Sequence, residues 1–182
     1  MNAAGSLYFA DEGYLTWQKN LVEPYLKQCQ KYAYFHSYDG AAIFYQQYLA
    51  AGADTCIVIS HGFSEFAEKY NEVIYYFLQQ GCSVYILEHR GHGYSEREVS
   101  DDQKVYIRDF EDYIKDLDCF MKKMNYRMER HRILFAHSMG GAIAVRYIEE
   151  HPKAFERAIL SSPMFRMHKQ INAFFADGCT KF

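Results

Sequence analysis

No stretch of the 182-residue sequence reaches the ~18 consecutive apolar residues that a membrane-crossing helix needs. Basic charge is not in excess either. The formal net charge is -3 and the isoelectric point is about 6.2, which gives no reason to expect a nucleic-acid partner. Residues 1–6 lack a basic cluster followed by an apolar core, so a secretory signal is not expected. No Cys-x-x-Cys occurs. The five cysteines (Cys29, Cys56, Cys82, Cys119 and Cys179) are odd in number and widely spread. That argues against a zinc site or a disulfide framework and fits a reducing, cytoplasmic setting. Internal repeats, low-complexity tracts and linkers are also missing, and the length suits one domain.

What is present is ample core material, with 49% hydrophobic and 18% aromatic residues. Residues 1–30 read as an N-terminal arm, with an amphipathic helix over 15–30 interrupted at Pro24. Residues 31–182 read as one α/β unit. Two aromatic runs, 32–37 and 42–48, flank Tyr38-Asp39-Gly40-Ala41, and Asp-Gly between strand-like runs signals a hairpin. From there strands alternate with helices. The strands are expected at 55–60, 82–88, 132–137 and 157–162. The helices are expected at 66–80 (stopped by Gly81), 101–125 and 141–150. A hairpin followed by this alternation implies a mostly parallel sheet with helices on both faces. In such sheets function sits at the carboxyl ends of the strands, and all three unusual loops (61–65, 89–95 and 137–141) fall there.

One stretch organises the chain: the run from Arg132 to Val145, centred on Ala136-His137-Ser138-Met139-Gly140-Gly141. An apolar strand ends in a serine, glycines follow, and a helical pattern begins. That is the layout of a nucleophile elbow, a strained turn that lifts a serine hydroxyl above the sheet. Small residues are needed two before and two after the serine, and Ala136 and Gly140 fill those slots. The Met139 N–H at the helix start faces the place where an oxyanion would form. A second donor comes from the loop after an earlier strand. Here that is His61-Gly62-Phe63-Ser64-Glu65, with Gly62 permitting close approach and the Phe63 N–H donating. The loop Glu88 to Ser95 lacks the third glycine of a dinucleotide fingerprint and any Gly-Lys-Ser/Thr. His89 and His92 have no supporting ligand cluster, and this loop reads as packing beside the site. His137, next to the serine on a tight turn, reads as loop packing rather than as a base.

Taken together, His61-Gly62-Phe63-Ser64-Glu65 with Tyr70, Arg90-Gly91-His92-Gly93-Tyr94-Ser95, His137 through Ala144, and Ser162-Pro163 resemble a known family. This is the lysophospholipase and monoacylglycerol lipase group of the α/β-hydrolases, also labelled serine aminopeptidase S33-like. The resemblance runs from about Tyr32 to Phe165. It implies an α/β-hydrolase fold and serine-dependent hydrolysis of a carboxylic ester in a small or lipid substrate. Ser138 would be the nucleophile, with Phe63 and Met139 as backbone oxyanion donors. No metal or organic cofactor is implied, and contact with a membrane would be peripheral. Ala136 departs from the usual first glycine of the elbow, and Glu88 stands where the motif often has aspartate.

The resemblance also implies eight strands, and six are counted here. The acid and histidine of a triad would follow the serine. His151, His168 and Asp177 do follow it, and none matches a family motif. The expectation is therefore a hydrolase fold truncated after its sixth strand, whose last strand becomes an apolar edge prone to pairing. A catalytically inactive remnant or binding module, and a peptidase or general esterase of the same fold, are the alternatives.

Overall fold

A computed structural model describes residues 13–101, 103–124 and 129–166. Six strands form one sheet in the order β1-β2-β4-β3-β5-β6. They are β1 (Gln30–His36), β2 (Ala42–Tyr48), β3 (Thr55–Ser60), β4 (Ser83–Leu87), β5 (His131–His137) and β6 (Arg157–Ser161). β1 and β2 form the expected hairpin, in register from Gln30 opposite Tyr48 to His36 opposite Ala42. Gly40 takes a left-handed φ of 93° in its turn, and the Asp39 carboxylate accepts the Ala41 N–H. β2 also runs antiparallel to β4, while β4, β3, β5 and β6 are mutually parallel.

Side-chain alternation splits the core into two layers. Val58, Tyr85, Leu87 and Leu134 pack on one face under α4 (Glu111–Met124) and α5 (Met139–Glu150). Ile57, Ile59, Val84 and Ile86 pack on the other under α2 (Glu23–Cys29) and α3 (Asn71–Gln79). The sheet is thus covered on both faces, as the alternation implied. Gly81 ends α3 with φ 74°, its N–H on the Leu78 carbonyl.

Three details differ from expectation. The helix expected from 101 begins only at Glu111, where the Asp109 carboxylate accepts the Glu111 N–H. Ile107 is buried in the core ahead of the helix without belonging to it. The helix expected over 66–80 starts with a 3-10 turn, Ala67–Tyr70. Pro24 does not interrupt the N-terminal helical run. α1 (Tyr14–Trp17) passes through a π-helical turn (Gln18–Val22) into α2, and Pro24 lies in the first turn of α2. Val22 and Leu26 are buried against the α3 face.

Two features of topology position the site. The chain leaves β3 towards β4 on one side and returns to β5 on the other. The switch point therefore lies between the carboxyl ends of β3 and β5, where open α/β sheets bind ligands. Among the described residues β6 is an edge strand, mostly exposed, with Ile159 46% exposed.

Candidate active site

Ser138 stands between the last residue of β5 and the first of α5, with φ 49° and ψ -118°. A non-glycine residue in that region is strained, and strain persists only where the surroundings over-determine it. They do so here. The Ser138 N–H donates to the Ser161 carbonyl at 3.0 Å. Its carbonyl accepts the N–H groups of Gly141 and Met164, both at 2.9 Å. Met139 is the first residue of α5 and is buried, so its N–H belongs to the helix's unsatisfied first turn. Ser138 and Met139 thus occupy the positions that the elbow motif requires.

Gly140 lies flat on the end of β3. A Cβ there would fall inside the van der Waals envelope of the Ser60 and His61 carbonyl oxygens. Alanine favours a helix by about 1 kcal/mol over glycine. A collision with backbone on two sides outweighs that gain. Gly140→Ala is therefore expected to destabilise the fold by about 1–3 kcal/mol, the usual range for overpacking. A urea midpoint at or above that of the parent chain would show that β3 and α5 separate easily. Ser60 reinforces the contact, its Oγ donating to the Gly140 carbonyl at 3.2 Å.

The loop after β3 is held by Glu65. Its carboxylate accepts the Gly62 N–H at 2.6 Å and the Tyr70 hydroxyl at 2.6 Å, and lies 3.2 Å from His137 Nδ1. Burial opposes charge on Glu65. Those hydrogen bonds, Tyr70's foremost, outweigh it and hold the carboxyl below its ordinary range. The Gly62 N–H is thereby spent inside the loop, and Phe63 carries the next amide. One carboxylate ties the β3 loop to the elbow. Sequence reasoning missed this role. The signal was a glutamate three residues beyond the amide it caps, the reach-back that also operates in capping boxes.

A second carboxylate joins the loop after β4 to the 3-10 turn that follows the β3 loop. Glu88 is fully buried at the end of β4 and accepts the N–H groups of Ala67 at 3.0 Å and Tyr94 at 2.6 Å. Burial raises its pKa, with those amides opposing. A glutamate is accommodated where the motif often has aspartate because Gly93, at φ 50°, leaves no side chain in its path. Between these loops three imidazoles are buried together. His61 and His89 have ring centroids 4.4 Å apart, and His61 and His92 are 5.3 Å apart. The His89 N–H donates to His61 Nε2 at 2.9 Å, so the His61 proton sits on Nδ1 and donates to the Gly62 carbonyl at 2.8 Å. His89 Nε2 meets Ser60 Oγ at 3.1 Å, and His92 Nδ1–H donates to the Arg90 carbonyl at 3.1 Å. His89 Nδ1 and His92 Nε2 are buried without a partner among the described residues. His92 also packs edge-on to Phe63, at 5.6 Å between centroids. The three rings are packing groups beneath the site, as the sequence suggested for the latter two. Among the described residues no group of three His, Cys, Asp or Glu side chains could hold a metal ion.

His151 caps the far end of α5 and stacks on Tyr147, about 18 Å along the helix from Ser138. Among the described residues no imidazole is hydrogen-bonded to Ser138 Oγ. His168 and Asp177 lie outside the described residues.

The comparisons with known proteins agree with this layout. The family model described as "Serine aminopeptidase, S33" matches residues 51–181. Lysophospholipase L2 of Escherichia coli (strain K12) is 32% identical over 145 residues, covering 79% of this chain and 43% of that protein. A monoacylglycerol lipase of Mycolicibacterium smegmatis is 32% identical over 117 residues, covering 64% of this chain and 40% of that one. In structure, the chain resembles a monoglyceride lipase of Saccharomyces cerevisiae with TM-score 0.65 at 20% identity, over 80% of this chain and 48% of that one. A carboxyl esterase of Bacillus coagulans gives 0.64 at 22% identity, over 72% and 44% respectively. The chain thus spans less than half the length of these relatives. The strained serine at a strand-to-helix turn, the switch-point loops around it and a family match over most of the sequence lead to one conclusion: the chain belongs to the serine aminopeptidase S33 family of α/β-hydrolases, in its lysophospholipase and monoacylglycerol lipase-like branch.

Proposed function

We propose that Ser138 is the nucleophile of a serine hydrolase acting on carboxylic esters of the lysophospholipid or monoacylglycerol type. The observation that carries this reading is the positive φ of Ser138 between β5 and α5. In the proposed reaction Ser138 Oγ adds to the ester carbonyl as its proton passes to a base. The Met139 and Phe63 N–H groups receive the oxyanion, with Gly62 and Gly140 allowing the close approach. The alcohol leaves with a proton, and water then releases the acid from the acyl-enzyme. The base and its orienting acid belong, in this proposal, to residues outside those described. Two observations favour a lipid ester. The relatives' names specify lysophospholipase and monoacylglycerol lipase. A cavity of about 550 Å³ also opens one turn along α5 from Ser138, its wall shared between apolar side chains (Phe110, Val145, Met164 and Phe165 among them) and charged ones (Glu111, Arg146 and Arg166 among them), as an amphipathic lipid would need. Such a substrate would be drawn from a lipid surface by peripheral contact. Among the described residues no helix is long and apolar enough to cross a membrane. The unpaired Cys29, Cys56, Cys82 and Cys119 support a reducing, cytoplasmic setting.

A second reading is a binding module that keeps the elbow without its chemistry. The absence of an imidazole on Ser138 Oγ among the described residues favours it. Fluorophosphonate labelling of the chain and of Ser138→Ala separates the two, because the probe reports a serine already activated by a base. Labelling that disappears in the variant is the expected result for the hydrolase. Labelling that persists would remove Ser138 from the role. A folded chain that never labels would leave the binding module.

A further inference from the structure

On the flank of the sheet opposite β6, the hairpin and two loops enclose a cavity of about 420 Å³. Its walls are Tyr32 and Tyr34 of β1, Phe44 of β2, Tyr94 of the loop after β4, and Glu68 of the 3-10 turn. Phe44 is buried and forms the floor. Its ring centroid lies 5.2 Å from Tyr34, 5.2 Å from Tyr94 and 5.9 Å from Tyr32. The three tyrosines stand 69%, 51% and 64% exposed for Tyr32, Tyr34 and Tyr94. Singly exposed aromatics are ordinary, but three grouped round one concavity are not.

The polar groups of the cavity narrow its occupant. Gln30 and Gln46 complete the lining, and both are committed to one hydroxyl. Gln30 Nε2 donates to Tyr48 Oη at 3.1 Å, and that hydroxyl donates to Gln46 Oε1 at 2.6 Å. The Glu68 carboxylate has neither hydrogen bond nor ion pair among the described residues. No lysine or arginine lines the space. The neighbouring cations are turned elsewhere. Lys69 Nζ donates to the Ser64 carbonyl at 3.3 Å and lies over the Phe66 ring. Arg97 donates to the carbonyls of Gly93 and Ser95.

We propose that this cavity binds a quaternary or multiply methylated ammonium group. Aromatic faces carry negative potential and attract cations, most strongly when the cation sheds its water cheaply. A quaternary ammonium has no N–H to satisfy, and multiple methylation reduces that demand, so the lining need supply few hydrogen-bond acceptors. The lone carboxylate supplies the counter-charge. A sugar would compete with Tyr48 for one hydrogen-bonding atom of each amide, and glucose is therefore a control in the test. A divalent metal would need several oxygen ligands where one carboxylate is offered. The site lies on other strands than Ser138, and the inference does not rest on the reaction proposed for that serine.

The test is a titration of the folded chain with tetramethylammonium chloride at constant ionic strength, followed by NMR of the tyrosine rings. The expected result is saturable shifts at Tyr32, Tyr34 and Tyr94. Tyr34→Leu and Glu68→Gln should each weaken the apparent Kd by at least about threefold, and Tyr34→Phe should retain it. These positions are exposed, and thermal melts confirm that each variant is folded. Neopentanol, the uncharged isostere, should bind more weakly. The proposal fails if neopentanol binds as tightly, if glucose saturates the rings where tetramethylammonium does not, if nothing saturates, or if both weakening variants bind as the parent does. Because the readout is binding at the rings, none of these outcomes depends on activity at Ser138.

Discussion

Acidifying the folded chain from pH 6.5 to 5 is expected to remove several kcal/mol of stability. The cause is the imidazole cluster of His61, His89 and His92, all buried. Burial foremost, and then the neighbouring imidazole of His92, pushes the His61 pKa down to about 3. His89 is lowered well below its ordinary value, again by burial first and then by His61 and His92, and His92 is lowered by burial. Glu65 pulls against these shifts at His61 and His92, whereas Lys69 deepens the one at His61 and Arg97 the one at His92. In the unfolded chain the same groups take up protons at about 6.5. Below that pH the unfolded state therefore binds more protons than the folded one, and stability falls. Each neutral histidine contributes about 1.4 kcal/mol per pH unit, and the three at most about 4, until the folded rings themselves charge. Urea midpoints across this range measure the slope. His61→Phe should flatten it by up to one histidine's share. A midpoint that stays constant from pH 7 to pH 5 would mean the rings are already charged or hydrated in the fold.

The second large effect is at Asp116. Its carboxylate is completely buried in α4 and accepts Arg90 Nε at 2.8 Å, Arg90 Nη2 at 2.7 Å and the Ser37 hydroxyl. The other side of the same guanidinium forks onto Asp39 in the hairpin turn, at 2.8 and 3.2 Å. Arg90 thus clamps the hairpin, the loop after β4 and α4 to one another. Asp116→Ala is expected to cost about 3 kcal/mol, because the Nε–Nη2 edge of a buried guanidinium loses its carboxylate while Asp39 holds only the other edge. Replacing both partners by apolar residues, Arg90→Met with Asp116→Leu, should cost less than the sum of the single changes. The coupling then appears in a double-mutant cycle. A single-variant loss under about 1 kcal/mol, in the range of exposed pairs, would show that water reaches Arg90 and that the clamp is a surface pair.

How much of this was legible in the sequence depends on the range of the interaction. The elbow, the hairpin turn at Asp39-Gly40 and the β3 loop are local patterns. Their residue types are dictated by backbone geometry at the spot, so they could be read directly. The alternation of strands with helices from β3 onward likewise foretold a sheet packed on both faces. The start of α4 was misread because Val105 and Phe110 extend the apolar pattern upstream while lying outside the helix, and the Asp109 cap is only one side chain. Glu65 looked like an ordinary loop residue, since its link to His137 depends on where β5 ends. Asp116 and Ser37 are 79 positions apart, and nothing near either one names the other. The buried imidazoles were legible as structural, but not as a cluster, because they come from two loops that meet only in the folded sheet.

The bonds around Ser138 also bear on the order in which the molecule assembles. The elbow rests on the end of β3, eighty positions earlier at Ser60, and is bonded to Ser161 and Met164 of later chain. Contacts of such separation form late, after the entropy of closing their loops has been met. Before they form, nothing holds Ser138 at positive φ, and β5 can run into α5 by some relaxed turn. During synthesis, β3 emerges long before Met164. A nascent chain can therefore contain the whole motif around Ser138 while the serine is still in the wrong shape. Its geometry is expected only once β6 docks, because Ser161 and Met164 supply the bonds that hold it.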